Sequence, residues 1–332
     1  MKSDKYPVPK LAEVSVIDLK KNDKLSRLRG NDLAELLVEL EMSPLLIREK
    51  LGLPNGTTFG VEIEFENADR QEIREKLENI VPRWDTKSDG SCDGEVVSPI
   101  LTDIPKSYQE LVMVCEAMQK KGAYAKNKTG GHIHIGSQII GQDFDALMNF
   151  LKTWIAFEKV LYRFAYGDKL GARNNINYAK PISEFLHPKL SDFAELNDYR
   201  ELRRQISYDR QHAVNFYNFR NDGQFKDTIE FRCPNGTINP IVWQNNLNVF
   251  AKLLGHCKSE KFDADVVDRK LHNFQKSGNF YKATDAVYLQ DALDFADMIF
   301  NKNIDKAYFL KQYVKFFNEP KSAKNNMVSY SL

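Results

Sequence analysis

The sequence predicts an α+β protein with a curved, mostly antiparallel sheet flanked by helices. Four short segments alternate apolar and charged residues with the period of two that a strand requires. Segments with helical spacing separate them, and the order of strands, helices and turns is irregular. This order favours an antiparallel sheet over a regular alternation of strand and helix. The four segments are 59–65, 93–97, 131–136 and 228–232.

Helices account for most of the chain between these strands. Leucines at helical spacing predict a helix over 31–51, and an amphipathic pattern predicts another over 68–80. The dipeptide Asn239-Pro240 places an N-cap residue before proline, which is typical of the start of a long helix. One more strand is expected over 210–219. The remaining helices are predicted over 105–121, 143–165, 192–206, 284–300 and 303–317.

Composition narrows the class of protein. The chain has 332 residues and a formal net charge of +1, so its charge gives no reason to expect binding to nucleic acid or to an anionic membrane. No apolar run approaches the roughly 18 residues that span a bilayer. Four scattered cysteines without a C-x-x-C pair, and a polar beginning without an apolar leader, predict a cytoplasmic protein.

One face of the predicted sheet carries most of the reactive side chains. Glu62 and Glu64 alternate with apolar residues, and Glu66 continues the same parity. Two charges about 7 Å apart on one strand repel by about 2 kcal/mol at an effective dielectric constant of ~20. A divalent cation relieves this repulsion if the face is partly buried, and Mg²⁺ or Mn²⁺ favours such oxygen ligands. A solvated strand face is the alternative explanation.

Two further segments add histidine and arginine to this face. His132 and His134 share one parity, and imidazole either ligates Mn²⁺ or Zn²⁺ or donates to phosphate. Glu230 and Arg232 repeat the pattern, and the guanidinium fork suits bidentate binding of phosphate. The competing explanations are structural histidines and a cross-strand salt bridge. Taken together, the segments predict an enzyme site for a metal ion and a nucleotide.

Three residues outside these pairs are also candidates. Glu95 has the parity of a further metal ligand, whereas its neighbours Asp89 and Asp93 are explained by a polar turn. Arg210, at the start of a predicted strand, is the expected second phosphate contact, and Asn235 follows the last strand within reach of a ligand. No G-x-G-x-x-G follows a strand and no G-x-x-x-x-G-K-[ST] occurs, so the Rossmann and P-loop classes lack their fingerprints.

Short motifs follow one another in order over about residues 58–255. They are Gly60-Val-Glu-Ile-Glu64, Asp89-Gly-Ser, Gly94-Glu-Val-Val-Ser-Pro99, Gly131-His-Ile-His-Ile-Gly136, Thr228-Ile-Glu-Phe-Arg232 and Asn235-Gly-Thr. In this order they resemble the amidoligase family of the glutamine synthetase-like carboxylate–amine ligases. The resemblance implies a glutamine synthetase-like partial barrel that a nucleotide enters at one end. It also implies that ATP, with Mg²⁺ (or Mn²⁺), phosphorylates a carboxylate, and that an amine attacks the acyl phosphate to form an amide or isopeptide bond.

The resemblance implies a role for each charged residue. Arg232 is similar to the arginine that stabilises the transferring phosphoryl group, and His134 to a second histidine nearer phosphate or substrate. With Glu95, these two are the expected catalytic residues. Arg232 and His134, joined by Arg210 and Asn235, are the expected contacts of ATP and its phosphates. The expected metal ligands are Glu62, Glu64, Glu95, His132 and Glu230.

The resemblance also divides the chain and indicates its partners. We expect an N-terminal helical extension over 1–56, a catalytic amidoligase-like domain over 57–257 and a C-terminal helical segment over 258–332 packed on it. The expected partners are a small-molecule or peptide carboxylate, for which a glutamyl group is one choice, and an amine. A metal-dependent hydrolase using the same His and Glu cluster is the alternative, and a non-catalytic binding protein is a third. Candidate substrate contacts are Arg173, Asn177, Tyr178, Lys126 and Lys128.

Overall fold

A seven-stranded antiparallel sheet organises the protein. The computed structural model describes residues 24–42, 45–126, 128–166, 177–206, 210–219, 227–274 and 288–314. The strands are β1 (Thr58–Phe65), β2 (Asp85–Lys87), β3 (Gly94–Val97), β4 (Leu101–Thr102), β5 (Gly131–Gly136), β6 (Val214–Asn215) and β7 (Thr228–Phe231). Their order is β2-β3-β1-β5-β7-β6, with β4 also paired to β1, and the sheet is open. The predicted α+β class with an antiparallel sheet is confirmed.

Helices surround the sheet and occupy more of the chain than the strands do. The Asp69 side chain accepts the backbone N–H of Glu72 at the start of the second helix, and Asn239 caps the eighth in the same way through the N–H of Ile241. The predicted start at Asn239-Pro240 is therefore confirmed, and the helix expected over 68–80 begins two residues later, at Arg70. The helices are α1 (Gly30–Met42), α2 (Arg70–Ile80), α3 (Pro105–Lys120), α4 (Phe144–Tyr166), α5 (Ser183–Leu186), α6 (Leu190–Ala194), α7 (Tyr199–Ile206), α8 (Pro240–Cys257), α9 (Ala264–His272), α10 (Leu289–Ile299) and α11 (Asn303–Val314).

Two helix predictions were wrong in their extent. The helix expected over 31–51 ends at Met42, and residues 45–51 are not helical. The sequence has a proline at position 44, a residue that a helix interior does not tolerate. The helix expected over 192–206 is divided into α6 and α7, because Asn197 adopts a φ of 50° between them and the Asp198 side chain then caps α7. Leucine and apolar spacing alone did not reveal either interruption.

The strand expected over 210–219 was also wrong in extent, and only β6 forms there. Arg210 and Gln211 lie in a turn before it. After it, the Asn215 side chain accepts the backbone N–H of Tyr217 at 2.8 Å, which bends the chain away from the sheet. Helix α9 and strand β4 were not predicted.

The two faces of the sheet differ in character. Val61, Ile63, Ile133 and Phe231 are fully buried against the helices. The Phe231 ring stacks on Phe250 of α8 with ring centroids 4.4 Å apart, and it lies 5.6 Å from the ring of Trp154 of α4. Because strand residues alternate, anchoring Phe231 in this layer directs Glu230 and Arg232 to the opposite face. The core therefore determines where the charged side chains lie.

We expect Phe231→Ala to lower the free energy of unfolding by about 3–5 kcal/mol, because truncating a ring in a packed core removes apolar burial and leaves a cavity. Urea titration followed by circular dichroism measures this loss. Phe185 is a suitable control, since its half-buried ring lies under the Lys189 ammonium group at the surface. Equal losses for Phe231→Ala and Phe185→Ala would show that Phe231 does not anchor the sheet.

The first and last described segments pack on the same core as the sheet. Asp297 of α10 accepts the backbone N–H groups of Leu25 and Ser26 at 3.0 and 2.8 Å. Arg48 forms a buried ion pair with Asp305 of α11 at 2.7 Å. Residues of all three expected parts contribute to one hydrophobic core, and the boundaries between the parts stay a prediction. None of the helices in the described ranges combines the length and apolar character needed to cross a bilayer.

Candidate active site

The register of the sheet brings the predicted residues together on one face. Glu62 of β1 faces His132 of β5, and Glu64 faces Glu95 of β3. His134 of β5 faces the glutamate of β7. Directly opposed residues in an antiparallel pair project to the same side of the sheet. We call the charged side chains on this face the charged cluster. Its members are Glu62, Glu64, Glu95, His132, His134, Glu230 and Arg232.

Glu62 lies between the two histidines of the charged cluster. Its Oε2 is 3.1 Å from Nδ1 of His132, and its Oε1 is 3.0 Å from Nε2 of His134. The His132 ring also lies 3.7 Å from an oxygen of Glu64 and 3.7 Å from an oxygen of Glu230. His132 is therefore surrounded by three carboxylates contributed by two strands.

Glu230 is held by a donor on each of its carboxylate oxygens. Nη1 of Arg232 donates to Oε1 at 2.6 Å, and Nδ2 of Asn215 donates to Oε2 at 2.6 Å. The Nε of Arg232 also donates to the carbonyl oxygen of Tyr178 at 3.1 Å. These contacts fix the plane of the guanidinium and engage two of its five N–H donors. Because the guanidinium is planar, the same contacts also fix the directions of its other N–H groups.

Glu64 and Glu95 extend the negative charge across neighbouring strands. Oε2 of Glu64 accepts the backbone N–H of Gly130 at 2.6 Å, which ties the loop before β5 to β1. Burial raises the pKa of Glu64, against the lowering effects of His132 and of the Gly130 N–H. Burial, together with the negative charges of Glu62 and Glu64, raises the pKa of Glu95 to about 7. This part of the face therefore carries more carboxylate than its own cations neutralise.

The other two carboxylates remain ionised. Burial alone would raise the pKa of Glu62, but His132 and His134 outweigh burial and lower it. Burial opposes ionisation of Glu230 as well, but the nearby His132, His134 and Arg232 outweigh burial and hold its pKa below the ordinary range. Burial favours the neutral ring of His132, yet its hydrogen bond to Glu62 and the nearby carboxylates raise its pKa. The cluster thus pairs ionised oxygens with imidazole nitrogen at close range.

Part of the charged cluster fits a divalent cation. Ligand atoms of Glu62, His134 and Glu230 all lie within 4.8 Å of one another. Nε2 of His134 is buried and lies 3.0 Å from Oε1 of Glu62. Adjacent ligands of an octahedral ion bound at about 2.1 Å lie about 3 Å apart. A donor set of two carboxylates and one imidazole can therefore hold a divalent cation.

The structure and the sequence prediction assign the histidines differently. The sequence predicts a metal on His132 and phosphate near His134. In the structure His134 shares the compact donor set with Glu62 and Glu230, whereas His132 forms ion pairs at the centre of the cluster. Both rings lie on the expected face, and the division of roles between them stays a prediction.

Two residues predicted to contact nucleotide lie outside the charged cluster. Asn235 pairs with Gly130 through its backbone, and its buried side-chain oxygen has no hydrogen-bond partner among the described residues. Arg210 is exposed and stacks on the ring of Tyr217, with its guanidinium carbon 3.6 Å from the ring centroid. Within the described ranges, no hydrogen bond or ion pair joins Arg210 to the cluster.

The predicted turn and substrate residues lie around the charged cluster. Asp89 accepts both the N–H and the hydroxyl of Ser91, and Asp93 accepts the N–H of Asn67, which is the turn chemistry expected of them. Glu66 accepts the backbone N–H groups at 126 and 128, which places both lysines beside the loop before β5. Asn177 and Tyr178 are both exposed, and the carbonyl oxygen of Tyr178 accepts the Nε–H of Arg232. Arg173 lies outside the described residues.

Sequence analysis missed two residues of this face. Asn215 is only 3% exposed and donates to Glu230, while the hydroxyl of Thr228 lies 3.3 Å from Nδ1 of His134. Both carried a signal in the period-two pattern. Asn215 alternates with the apolar Val214 and Phe216, and Thr228 has the parity of Glu230. From the sequence alone, Asn215 is recognised only as part of a strand, and Thr228 only as a residue type that is common in strands.

If Glu230 is one of the residues that hold the ion, Asn215→Ala should weaken binding of Mn²⁺ or Mg²⁺ about ten- to a hundredfold, because the hydrogen bond that orients the Glu230 carboxylate is lost. Isothermal calorimetry with the metal alone measures the effect. Asn248→Ala is the control, since Asn248 is a buried asparagine that donates to a carboxylate, Asp305, at 3.0 Å on the helical side of the protein. Equal metal affinity of the wild type and Asn215→Ala would contradict the orienting role.

Comparison with known families identifies the chain. Residues 84–254, just over half of the chain, match the model of a family described as "Putative amidoligase enzyme". The matched range extends from the residue before β2 into α8 and contains most of the charged cluster, while Glu62 and Glu64 lie before it. No curated protein matches the chain. The chain belongs to the amidoligase family, which indicates an enzyme that forms amide bonds.

Proposed function

We propose that the protein is an ATP- and Mg²⁺-dependent carboxylate–amine ligase that forms an amide or isopeptide bond through an acyl phosphate. An oxygen of the substrate carboxylate attacks the γ-phosphorus of ATP, the bond to the β–γ bridging oxygen breaks, and ADP leaves. The amine nitrogen then attacks the acyl carbon, the bond from that carbon to the phosphate oxygen breaks, and phosphate leaves. An amine that arrives as the ammonium ion first gives up one proton, and the nitrogen loses a second as the amide forms, so atoms and charge balance.

The observation that carries the proposal is the meeting of a cation site and an anchored guanidinium on one sheet face. Glu62, His134 and Glu230 would hold the ion, and Arg232 binds the last of these directly. When bound, the ion neutralises negative charge on phosphate oxygens. A face that held only a salt bridge would not need a partly buried set of four carboxylates. Family membership supports the amide product, and the charged cluster supports the use of a metal nucleotide.

The chain's own residues supply positioning and charge in this proposal. Glu230 and the Tyr178 carbonyl fix the rotamer of Arg232. Its remaining N–H donors are therefore already oriented before a phosphoryl group binds. Such preorganised donors lower the barrier most where charge develops in the transition state. Glu64 and Glu95, at the other side of the cluster, attract the positively charged amine. The face thus separates an anion-binding side from a cation-binding side.

Trapping with hydroxylamine tests the reaction class. Hydroxylamine replaces the amine and converts an acyl phosphate into a hydroxamate, which is detected as its coloured iron complex. The protein is incubated with ATP, Mg²⁺ and a panel of free dicarboxylates, amino acids and glutamyl peptides. We expect one member of the panel to yield hydroxamate and ADP in equal amounts, and only when ATP and Mg²⁺ are both present.

The same panel tests the hydrolase alternative. A peptide or amide cleaved in the presence of Zn²⁺ or Mn²⁺, without any nucleotide, would contradict the ligase proposal. Hydroxamate formed without ADP would contradict the acyl phosphate step, because direct exchange on an existing amide needs no phosphoryl transfer. Glu64 and Glu95 would then interact with a metal-bound water instead of an amine.

A further inference from the structure

The proposed reaction leaves unused an exposed aromatic side chain close to the charged cluster. Tyr217 is 39% exposed and follows the last residues of β6. The guanidinium carbon of Arg210 lies 3.6 Å from the centroid of its ring, so the two flat groups are stacked. A large ring left in solvent and braced by a cation is typical of a surface on which a planar ligand stacks.

The turn that carries Tyr217 is linked to the charged cluster by two sets of contacts. The backbone N–H of Tyr217 donates to Oδ1 of Asn215 at 2.8 Å, and Nδ2 of the same Asn215 donates to Glu230 at 2.6 Å. On the neighbouring strand, the N–H of Thr228 donates to the carbonyl of Asn218 at 3.2 Å, and its hydroxyl lies 3.3 Å from His134. The turn that presents Tyr217 therefore lies at the His134 and Glu230 end of the face.

We propose that Tyr217, braced by Arg210, stacks the purine base of the nucleotide whose phosphates bind at the charged cluster. The proposal rests on the proposed function, since it assumes that ATP binds at this face. It assigns Arg210 to the base rather than to the phosphates. The ring and the guanidinium both present a flat face, and every nucleobase has a π-face that stacks on such a surface. The turn connects the stacked pair to the residues that would contact the phosphates. One nucleotide would therefore contact both places at once.

The charge pattern supports a nucleotide over an uncharged aromatic ligand. Arg210 and Arg232 lie toward the same edge of the sheet, one just before β6 and the other just after β7. Glu64 and Glu95 lie on the other side, on β1 and β3. A triphosphate chain approaching Glu230 from Tyr217 therefore passes along the cationic side of the face.

Comparing the affinity for ATP with the affinity for inorganic tripolyphosphate separates the contribution of the base to binding from that of the phosphates. Affinities of both for the wild-type protein are measured by calorimetry in the presence of Mg²⁺, then for Tyr217→Ala, Tyr217→Phe and Arg210→Ala. We expect Tyr217→Ala and Arg210→Ala to weaken ATP binding roughly tenfold or more, the range found for loss of base stacking, and to leave tripolyphosphate binding unchanged. Tyr217→Phe, which keeps the ring, should bind both ligands like the wild type.

A matched control tests whether removing any braced tyrosine has this effect. Tyr288 on the helical layer lies under the Lys159 ammonium group, 5.1 Å from its ring centroid, and Tyr288→Ala should leave both affinities unchanged. Equal weakening of ATP and tripolyphosphate in the Arg210 variant would assign Arg210 to phosphate and overturn the proposal. Unchanged ATP affinity in Tyr217→Ala would overturn it as well. A wild type that binds neither ligand would instead refute the proposed function, on which the base site depends.

Discussion

Replacing Glu62 by glutamine should abolish magnesium-dependent ATP binding while leaving the fold intact. The substitution keeps the size of the side chain but removes the ionised carboxylate that lies 3.1 Å from His132 and 3.0 Å from His134. It also removes one of the three members of the compact donor set. We expect a loss of at least about a hundredfold in affinity for Mg-ATP, above the ten- to hundredfold cost of losing an outer-shell partner.

Glu66→Gln is the control for this prediction. Glu66 directly follows β1 and shares the parity of Glu62, but its carboxylate accepts the backbone N–H groups of the loop at 126 and 128. Its replacement should leave Mg-ATP affinity close to that of the wild type. Calorimetry measures both variants, and circular dichroism shows that each is folded. Comparable losses in the two variants would mean that general negative charge, rather than a defined ligand, attracts the ion.

Arg232→Lys should lower the rate of phosphoryl transfer about a thousandfold with little change in ATP affinity. An arginine that stabilises charge on a transferring phosphoryl group is worth about 10³–10⁵ in rate. Lysine keeps the positive charge, but it cannot bind Glu230 and the Tyr178 carbonyl at once while presenting further donors. Single-turnover phosphate release, with the substrate found by hydroxylamine trapping, measures the rate.

The control for the arginine is Arg83→Lys. Arg83 binds both oxygens of Glu110 at 3.0 Å and lies outside the charged cluster, so its replacement should not change the rate. A rate loss in Arg232→Lys that is matched by an equal loss of ATP affinity would assign Arg232 to ground-state binding. Wild-type rates in Arg232→Lys would show that positive charge alone is sufficient at this position.

The alternation of apolar and charged residues predicted the two faces of the sheet well. Val61 and Ile63 are buried on one side, while Glu62 and Glu64 lie on the other, because a strand has a side-chain period of two. The same pattern could not reveal which strands are neighbours or in what register they pair. Register decides that Glu62 meets both histidines, and it depends on long-range packing such as the stack of Phe231 on Phe250.

Other features depended on local chemistry that spacing does not report. The first predicted helix ends at Met42 although leucines continue beyond it. Asn215 forms a turn and orients Glu230 at the same time, a dual role visible only once β6 and β7 are paired. The stacking of Arg210 on Tyr217 likewise joins residues whose sequence positions gave no hint of contact. The alternation of side chains along each strand predicted candidate site residues. Contacts between distant segments of the chain determine which of these residues lie together.

Thermal unfolding of the purified protein with Mg²⁺ alone, ATP alone and both together tests most directly whether the protein binds Mg-ATP. A ligand that binds only the folded state at a hundredfold excess over its Kd stabilises it by about 2.7 kcal/mol. We predict that ATP and Mg²⁺ together raise Tm clearly more than either does alone, and that this additional rise is lost in Glu62→Gln. No change with Mg-ATP, accompanied by a rise with Zn²⁺ or Mn²⁺ alone, would contradict the ligase and favour a metal-dependent hydrolase.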